Sequence, residues 1–234
     1  MSFAPFTYNQ QWFESGIPPA HLIAIEQQPN LETKEIYPDL SNTIWYNFNQ
    51  LGYRDKNWSD DDLNRSIWCV GHSDVLGVGV ENYETWTRRL EVLTNNKTIN
   101  LGSNGASWDT IARIISSGLK KYRPKKIIIQ ATTAVRREFV SHTIQRNLIP
   151  HLPESYLPYK DFWKHIDDES NQYSLEKNMC LIEQASKLAG VDVFIFDLKD
   201  RWAMIKDDPA KDGQHIGKNI HAGIAEYLNQ QLFQ

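Results

Sequence analysis

Four short apolar runs constrain the fold of this chain more than any other feature. Ser66-Ile-Trp-Cys-Val70, Lys97-Thr-Ile-Asn-Leu101, Lys126-Ile-Ile-Ile-Gln130 and Val191 to Phe196 have the length and residue types of buried strands, and the third is apolar without alternation, as a central strand is. Helical spacing separates them. Tyr83 to Leu93 follows the first run. Trp108 to Tyr122 follows the second, with Ile111, Ile114, Ile115 and Leu119 on one face and Pro124 as its stop. Leu175 to Leu188, ended by Gly190, precedes the fourth, and Asn219 to Leu232 closes the chain. Strand and helix in alternation imply an α/β fold, a three-layer α/β/α sandwich around a central parallel sheet.

At 234 residues the chain suits one domain. Residues 1–65, rich in Asn, Gln, Pro and Asp, read as an irregular extension packed on a domain at 66–234, with a short strand at Thr43 to Phe48. An excursion at 136–173, carrying Pro150, Pro153 and Pro158, is expected to form short helices that roof or flank a site. A formal charge of −4 offers no global attraction for phosphate backbones, so nucleic acid is not an expected partner. Cys69 and Cys180 lie in apolar stretches and read as buried free thiols, which suits a reducing compartment. The first residues lack the basic flank and apolar run of a signal peptide, and no stretch approaches a membrane span, so the expected location is cytoplasmic. The one compositional excess is aromatic, with 8 Trp, 10 Tyr and 9 Phe, either core anchors or rings lining a sugar groove.

In an open parallel sheet the ligand site lies beyond the carboxyl ends of the strands. After the four runs stand Gly71-His-Ser-Asp74, Gly102-Ser-Asn-Gly105, Ala131-Thr-Thr133 and a loop with Asp212-Gly-Gln-His215. A serine at a strand-to-helix turn is often a mere cap. His215 changes its meaning, because a serine needs a base to become nucleophilic and Asp212 stands three residues before that imidazole. The glycines at 77 and 79 complete neither a dinucleotide nor a phosphate-loop fingerprint. His72, Asp74, His215 and His221 lack zinc-ligand spacing, and no metal or cofactor is expected.

From Ile67 to Leu228 these blocks resemble the SGNH (GDSL-like) hydrolases, a flavodoxin-like α/β/α family of esterases, lipases, deacetylases and some acyltransferases. Trp68-Cys-Val-Gly-His-Ser-Asp-Val-Leu-Gly-Val-Gly79 is similar to the first block and implies Ser73 as nucleophile. Thr98-Ile-Asn-Leu-Gly-Ser-Asn-Gly-Ala-Ser107 is similar to the second, whose oxyanion glycine corresponds to Gly105, and Lys211-Asp-Gly-Gln-His-Ile-Gly217 to the final D-x-x-H block. The resemblance implies a catalytic set of Ser73, His215 and Asp212 and an oxyanion hole of Ser73, Gly105 and a side-chain donor.

Two departures stand out. His72 replaces the usual Asp before the nucleophile. The third block carries Gln130-Ala-Thr-Thr-Ala-Val-Arg136 where the family has a G-x-N-D-like turn, so the asparagine donor is missing. Thr133 falls at its position, with Thr132 the alternative one register away. Arg136, just past the third strand, is a candidate for a substrate carboxylate, whereas the pairs Arg88-Arg89 and Lys120-Lys121 read as solvated faces. The expected activity is hydrolysis of a carboxylic ester, an O-acetylated carbohydrate first among substrates. An acyltransferase on the same triad, and a glycan-binding or structural protein on a degenerate scaffold, stand as alternatives. The oligomeric state is open.

Overall fold

The computed structural model describes residues 30–36, 43–140, 145–148 and 165–234. Strands β1 (Glu32–Ile36) and β2 (Thr43–Asn47) pair antiparallel, and helix α1 (Asp60–Arg65) follows them. The main sheet holds β3 (Ile67–Gly71), β4 (Thr98–Gly102), β5 (Lys126–Gln130) and β8 (Val193–Phe196), all parallel in the order β4-β3-β5-β8. Between β3 and β4 lie the short α2 (Ser73–Leu76) and α3 (Trp86–Thr94), and between β4 and β5 lies α4 (Trp108–Gly118). Beyond β5 come the antiparallel pair β6 (Arg137–Val140) and β7 (Gln145–Leu148), then α5 (Asp168–Ala189); α6 (Arg201–Asp207) and α7 (Lys218–Phe233) follow β8.

Strand alternation sorts the core into two layers. Trp68, Val70, Ile127 and Ile129 face α4 and α5, where Ile111, Ile115 and Ile182 meet them. Ile67, Cys69 and Ile128 face α3 and α7, where Leu90, Ile224 and Leu228 close the second layer. Each fully buried side chain of this size contributes about 1.5–3 kcal/mol. The result is the three-layer α/β/α sandwich. Local chemistry sets the helix limits: Ser107 accepts the Thr110 N–H at the start of α4, Asp167 accepts the Ser170 N–H at the start of α5, and Gly190 in the left-handed region ends α5.

Several expectations need correction. The polar lead-in, read as irregular, carries β1, β2 and α1 among its described residues, and α1 was signalled by Ser59-x-x-Asp62, which forms a reciprocal capping box. The helix expected at Tyr83 to Leu93 starts only at Trp86 as α3, where the Thr85 hydroxyl caps it by accepting the Arg88 N–H, and Asn82–Glu84 before it form a separate 3-10 turn. Where short helices were expected at 136–173, the described part shows the β6–β7 pair and then α5 from Asp168. Residues 149–164 of that excursion, and residues 1–29 of the extension with the leader reading made there, lie outside the described residues. Cys69 is buried, but Cys180 is exposed, because α5 docks through a stripe of Leu175, Met179 and Ile182 that leaves Cys180 on its outer side. Four tryptophans, Trp58, Trp68, Trp86 and Trp108, belong to the core. Among the described residues no helix is long and apolar enough to cross a membrane.

The β1–β2 hairpin buttresses the turn after β3. Ile44, Tyr46 and Phe48 pack on Leu76 and Val78, and the Gly79 N–H donates to Tyr46 Oη at 2.8 Å. Arg54 lies over the Tyr46 ring at 4.1 Å and donates to the Gly77 and Trp45 carbonyls. Its buried cation thus ties the polar lead-in to the loop that follows α2.

Candidate active site

The chain runs from β3 to β4 on one side and returns to β5 on the other, so the crevice at the β3 and β5 carboxyl ends is the topological switch point. Ser73 opens α2 there, buried, with His72 as the preceding cap. His72 Nδ1 lies 3.5 Å from Ser73 Oγ and accepts the Asp74 N–H at 3.5 Å. Gly102 allows this packing: a Cβ there would sit 2.2 Å from the Leu76 backbone nitrogen, so any side chain would push α2 off the sheet.

Asp74 anchors the turn. Its carboxylate is fully enclosed and receives Arg201 Nε at 2.7 Å and Nη2 at 2.8 Å, while Gln130 Nε2 donates at 3.3 Å. Gln130 is held in turn by the Trp86 indole N–H at 3.1 Å. Burial alone would raise the Asp74 pKa; hydrogen bonds and positive charge from Arg201 and its neighbours outweigh it and hold the carboxyl well below the usual range. Burial depresses His72 to about 4, so this imidazole is neutral at pH 7 and a weak base for Ser73.

The second half of the site comes from the loop between α6 and α7. Asp212 Oδ2 meets His215 Nδ1 at 2.5 Å, and Asp212 Oδ1 accepts the backbone N–H groups of Gln214 and His215. Burial opposes the charged form of Asp212, yet these hydrogen bonds, that of His215 foremost, keep its carboxyl below the ordinary range. The loop is fastened to the far end of the Ser73 turn, where the Lys211 N–H donates to Gly79 O at 3.0 Å. Gly79 has φ +76, and a Cβ on it would meet Ala210 Cβ at 2.7 Å and Asp212 Oδ1 at 3.1 Å. Ser73 Oγ has His72 as its hydrogen-bond neighbour, and no hydrogen bond closes the gap to His215 among the described residues.

Gly105, buried with φ +70, sits in the turn after β4, which is joined to β3 by the Ser103 N–H on Gly71 O at 3.0 Å. The turn after β5 packs on it through the Thr132 hydroxyl, which donates to Ala106 O at 3.1 Å. Thr133 is exposed, and its hydroxyl accepts the Val135 N–H at 3.4 Å. Arg136 Nη1 donates to Thr132 Oγ1 at 3.1 Å and Ala106 O at 3.4 Å. His221 is a core group, its Nδ1 accepting the Trp86 N–H at 3.1 Å. Arg88 pairs with Asp55 and Glu91 rather than lying free on a solvated face. No cluster of potential metal ligands occurs among the described residues.

Arg201 and Gln130 are site residues that sequence reasoning missed. Gln130 carried a signal, a polar residue ending an otherwise apolar strand. Arg201 carried only its place after the fourth strand.

No family model and no curated protein matches the chain. Among solved structures it is similar to a candidate lipolytic protein of the G-D-S-L family from Desulfitobacterium hafniense DCB-2, at 13% identity and TM-score 0.38, over 72% of this chain and 100% of that one. A member of the lipolytic G-D-S-L family from Veillonella parvula DSM 2008 is similar at 14% identity and TM-score 0.35, over 72% of this chain and 98% of the other.

Proposed function

We propose that the protein is a serine hydrolase that cleaves a carboxylic ester. The observation that carries this reading is the fastening of the Asp212–His215 pair to the Ser73 turn through the Lys211 N–H on Gly79 O. Asp212 on Nδ1 leaves His215 Nε2 as the nitrogen that accepts the Ser73 proton. Ser73 Oγ then bonds to the acyl carbon, and the carbonyl electron pair moves to the oxygen, which the N–H groups of Ser73 and Gly105 receive. Collapse expels the alcohol, protonated by His215, and water activated by the same imidazole releases the acid.

An O-acetylated carbohydrate is the first substrate class to assay. Trp202, 72% exposed and next in sequence to the Arg201 that grips Asp74, offers a flat apolar platform of the kind a sugar face stacks on.

The test is labelling of the full chain with a fluorophosphonate, read by intact mass. A single adduct, lost in Ser73→Ala and retained in Ser103→Ala, supports the reading. An unlabelled parent chain, or a Ser73→Ala variant that labels as the parent does, removes it.

A further inference from the structure

The oxyanion of an acyl-transfer reaction is held best by several preorganised donors, and the turn after β5 leaves one place to fill. Thr133 stands where the resembling family has its asparagine, yet its hydroxyl is turned outward onto Val135. The Thr132 hydroxyl already donates to Ala106 O. We propose that Arg136 supplies the side-chain donor, so that a guanidinium takes the part of the missing amide. The proposal rests on the serine-hydrolase reading and adds a catalytic residue to it.

Position is the first argument. Nη1 of Arg136 is braced by Ala106 O, the carbonyl next to Gly105, and by Thr132 Oγ1, which puts the guanidinium against the loop that presents the Gly105 N–H. Bracing of this kind leaves Nε and Nη2 as the remaining donors of the fork. Nε is buried and has no hydrogen-bond partner.

Charge is the second. Two neighbouring arginines are paired with carboxylates, Arg201 with Asp74 and Arg113 with Glu138, and Arg137 spends its donors on the Asn171 side chain and on carbonyls. Among the described residues no carboxylate bonds Arg136. Burial, and then repulsion from Arg201, lower its pKa and outweigh the attraction of Asp74, whose carboxylate is already gripped by Arg201. Its field reaches His72, beside Ser73. A largely buried cation with no carboxylate bonded to it is costly in the resting protein. A negative charge that appears only in the transition state relieves that cost only there, which is the condition for lowering the barrier rather than tightening substrate binding. Arg136 stays protonated throughout; the proton in flight passes between Ser73, His215 and the leaving alcohol.

Kinetics of the full chain on two esters separate this role from recognition of a substrate carboxylate. The neutral probe is p-nitrophenyl acetate and the anionic one p-nitrophenyl hydrogen succinate, with rates normalised to titrated sites. Arg136→Met is expected to lower kcat on both esters by about 10²–10³-fold, the usual effect of removing one oxyanion donor, with KM nearly unchanged. Labelling by a neutral fluorophosphonate, whose phosphoryl oxygen occupies the same position, is expected to slow in parallel. Arg136→Lys, which keeps charge and stem, is expected to recover part of the rate, and it carries the test if Arg136→Met fails to fold. Unchanged kcat on the acetate with a raised KM confined to the succinate overturns the proposal while leaving the hydrolase reading intact. So does a loss in Thr133→Val equal to that in Arg136→Met, which returns the donor to the turn. A parent chain that neither labels nor cleaves either ester overturns both.

Discussion

Arg201 grips Asp74 through both carboxylate oxygens, at 2.7 and 2.8 Å, across 127 residues of sequence. The pair joins the helix after the fourth main-sheet strand to the residue following Ser73, so the turn that carries Ser73 is held by a side chain from the far edge of the candidate site. Its effect on stability is asymmetric. Removing Arg201 leaves an enclosed carboxylate with only Gln130 and dipoles around it, and breaking such a pair costs about 3–5 kcal/mol. Since the Arg201 side chain is 23% exposed, the lower end applies. Arg201→Met is expected to lose about 3 kcal/mol in urea unfolding, and Asp74→Asn added to it to recover part of that loss. A double variant less stable than the single one would show that the orphaned charge is not the cause.

Stability is expected to rise with pH between about 4 and about 6.5. Burial depresses both His72 and His221 to about 4, whereas an unfolded histidine titrates near 6.5. Within that window the unfolded chain binds protons that the native chain refuses, so acid favours unfolding; above it the full contribution is present. Each histidine adds a slope of up to about 1.4 kcal/mol per pH unit. His221→Asn, whose amide oxygen can replace Nδ1 as acceptor for the Trp86 N–H, is expected to flatten the profile. Denaturant unfolding at several pH values measures it, and a profile as steep as the parent's would deny His221 this role.

Asp212→Asn is expected to preserve the fold and depress the reaction. The asparagine oxygen still accepts the Gln214 and His215 N–H groups, but the carboxylate that orients His215 and balances its charge is gone. The expected loss of kcat approaches about 10⁴-fold, with the melting temperature near the parent's. An Asp212→Asn variant as fast as the parent would contradict the assignment.

Gly102→Ala tests how closely α2 must sit on the sheet. The new methyl would stand 2.2 Å from Leu76 N and 2.7 Å from Leu76 Cα, both backbone atoms that no rotamer change can move aside. Overpacking of this kind costs about 3 kcal/mol or more, and the displaced turn should slow fluorophosphonate labelling of Ser73. A melting temperature equal to the parent's would mean that α2 yields at little cost.

The apolar runs and helical spacings identified all four main-sheet strands, and Asp212-Gly-Gln-His215 marked its own hydrogen-bonded pair, because both depend on residues close in sequence. The same local reasoning failed where packing chose between faces. Cys180 lies amid Met179, Leu181 and Ile182, yet the rotation of α5 on the sheet leaves it outside. Thr132 and Thr133 are chemically alike, and only the path of the turn after β5 sends the first onto Ala106 and the second outward.

The sequence by itself determined the α/β class, the loop ends at which the candidate groups stand and the Asp212–His215 contact, since burial periodicity and three-residue spacing are properties of the chain alone. Tertiary structure decided which distant charges meet. The Arg201–Asp74 pair, the Arg54 tie to the Gly77 carbonyl and the bracing of Arg136 on the Ala106 carbonyl beside Gly105 depend on strand order and loop packing, where a guanidinium finds its partner by enclosure in space and not by distance along the chain.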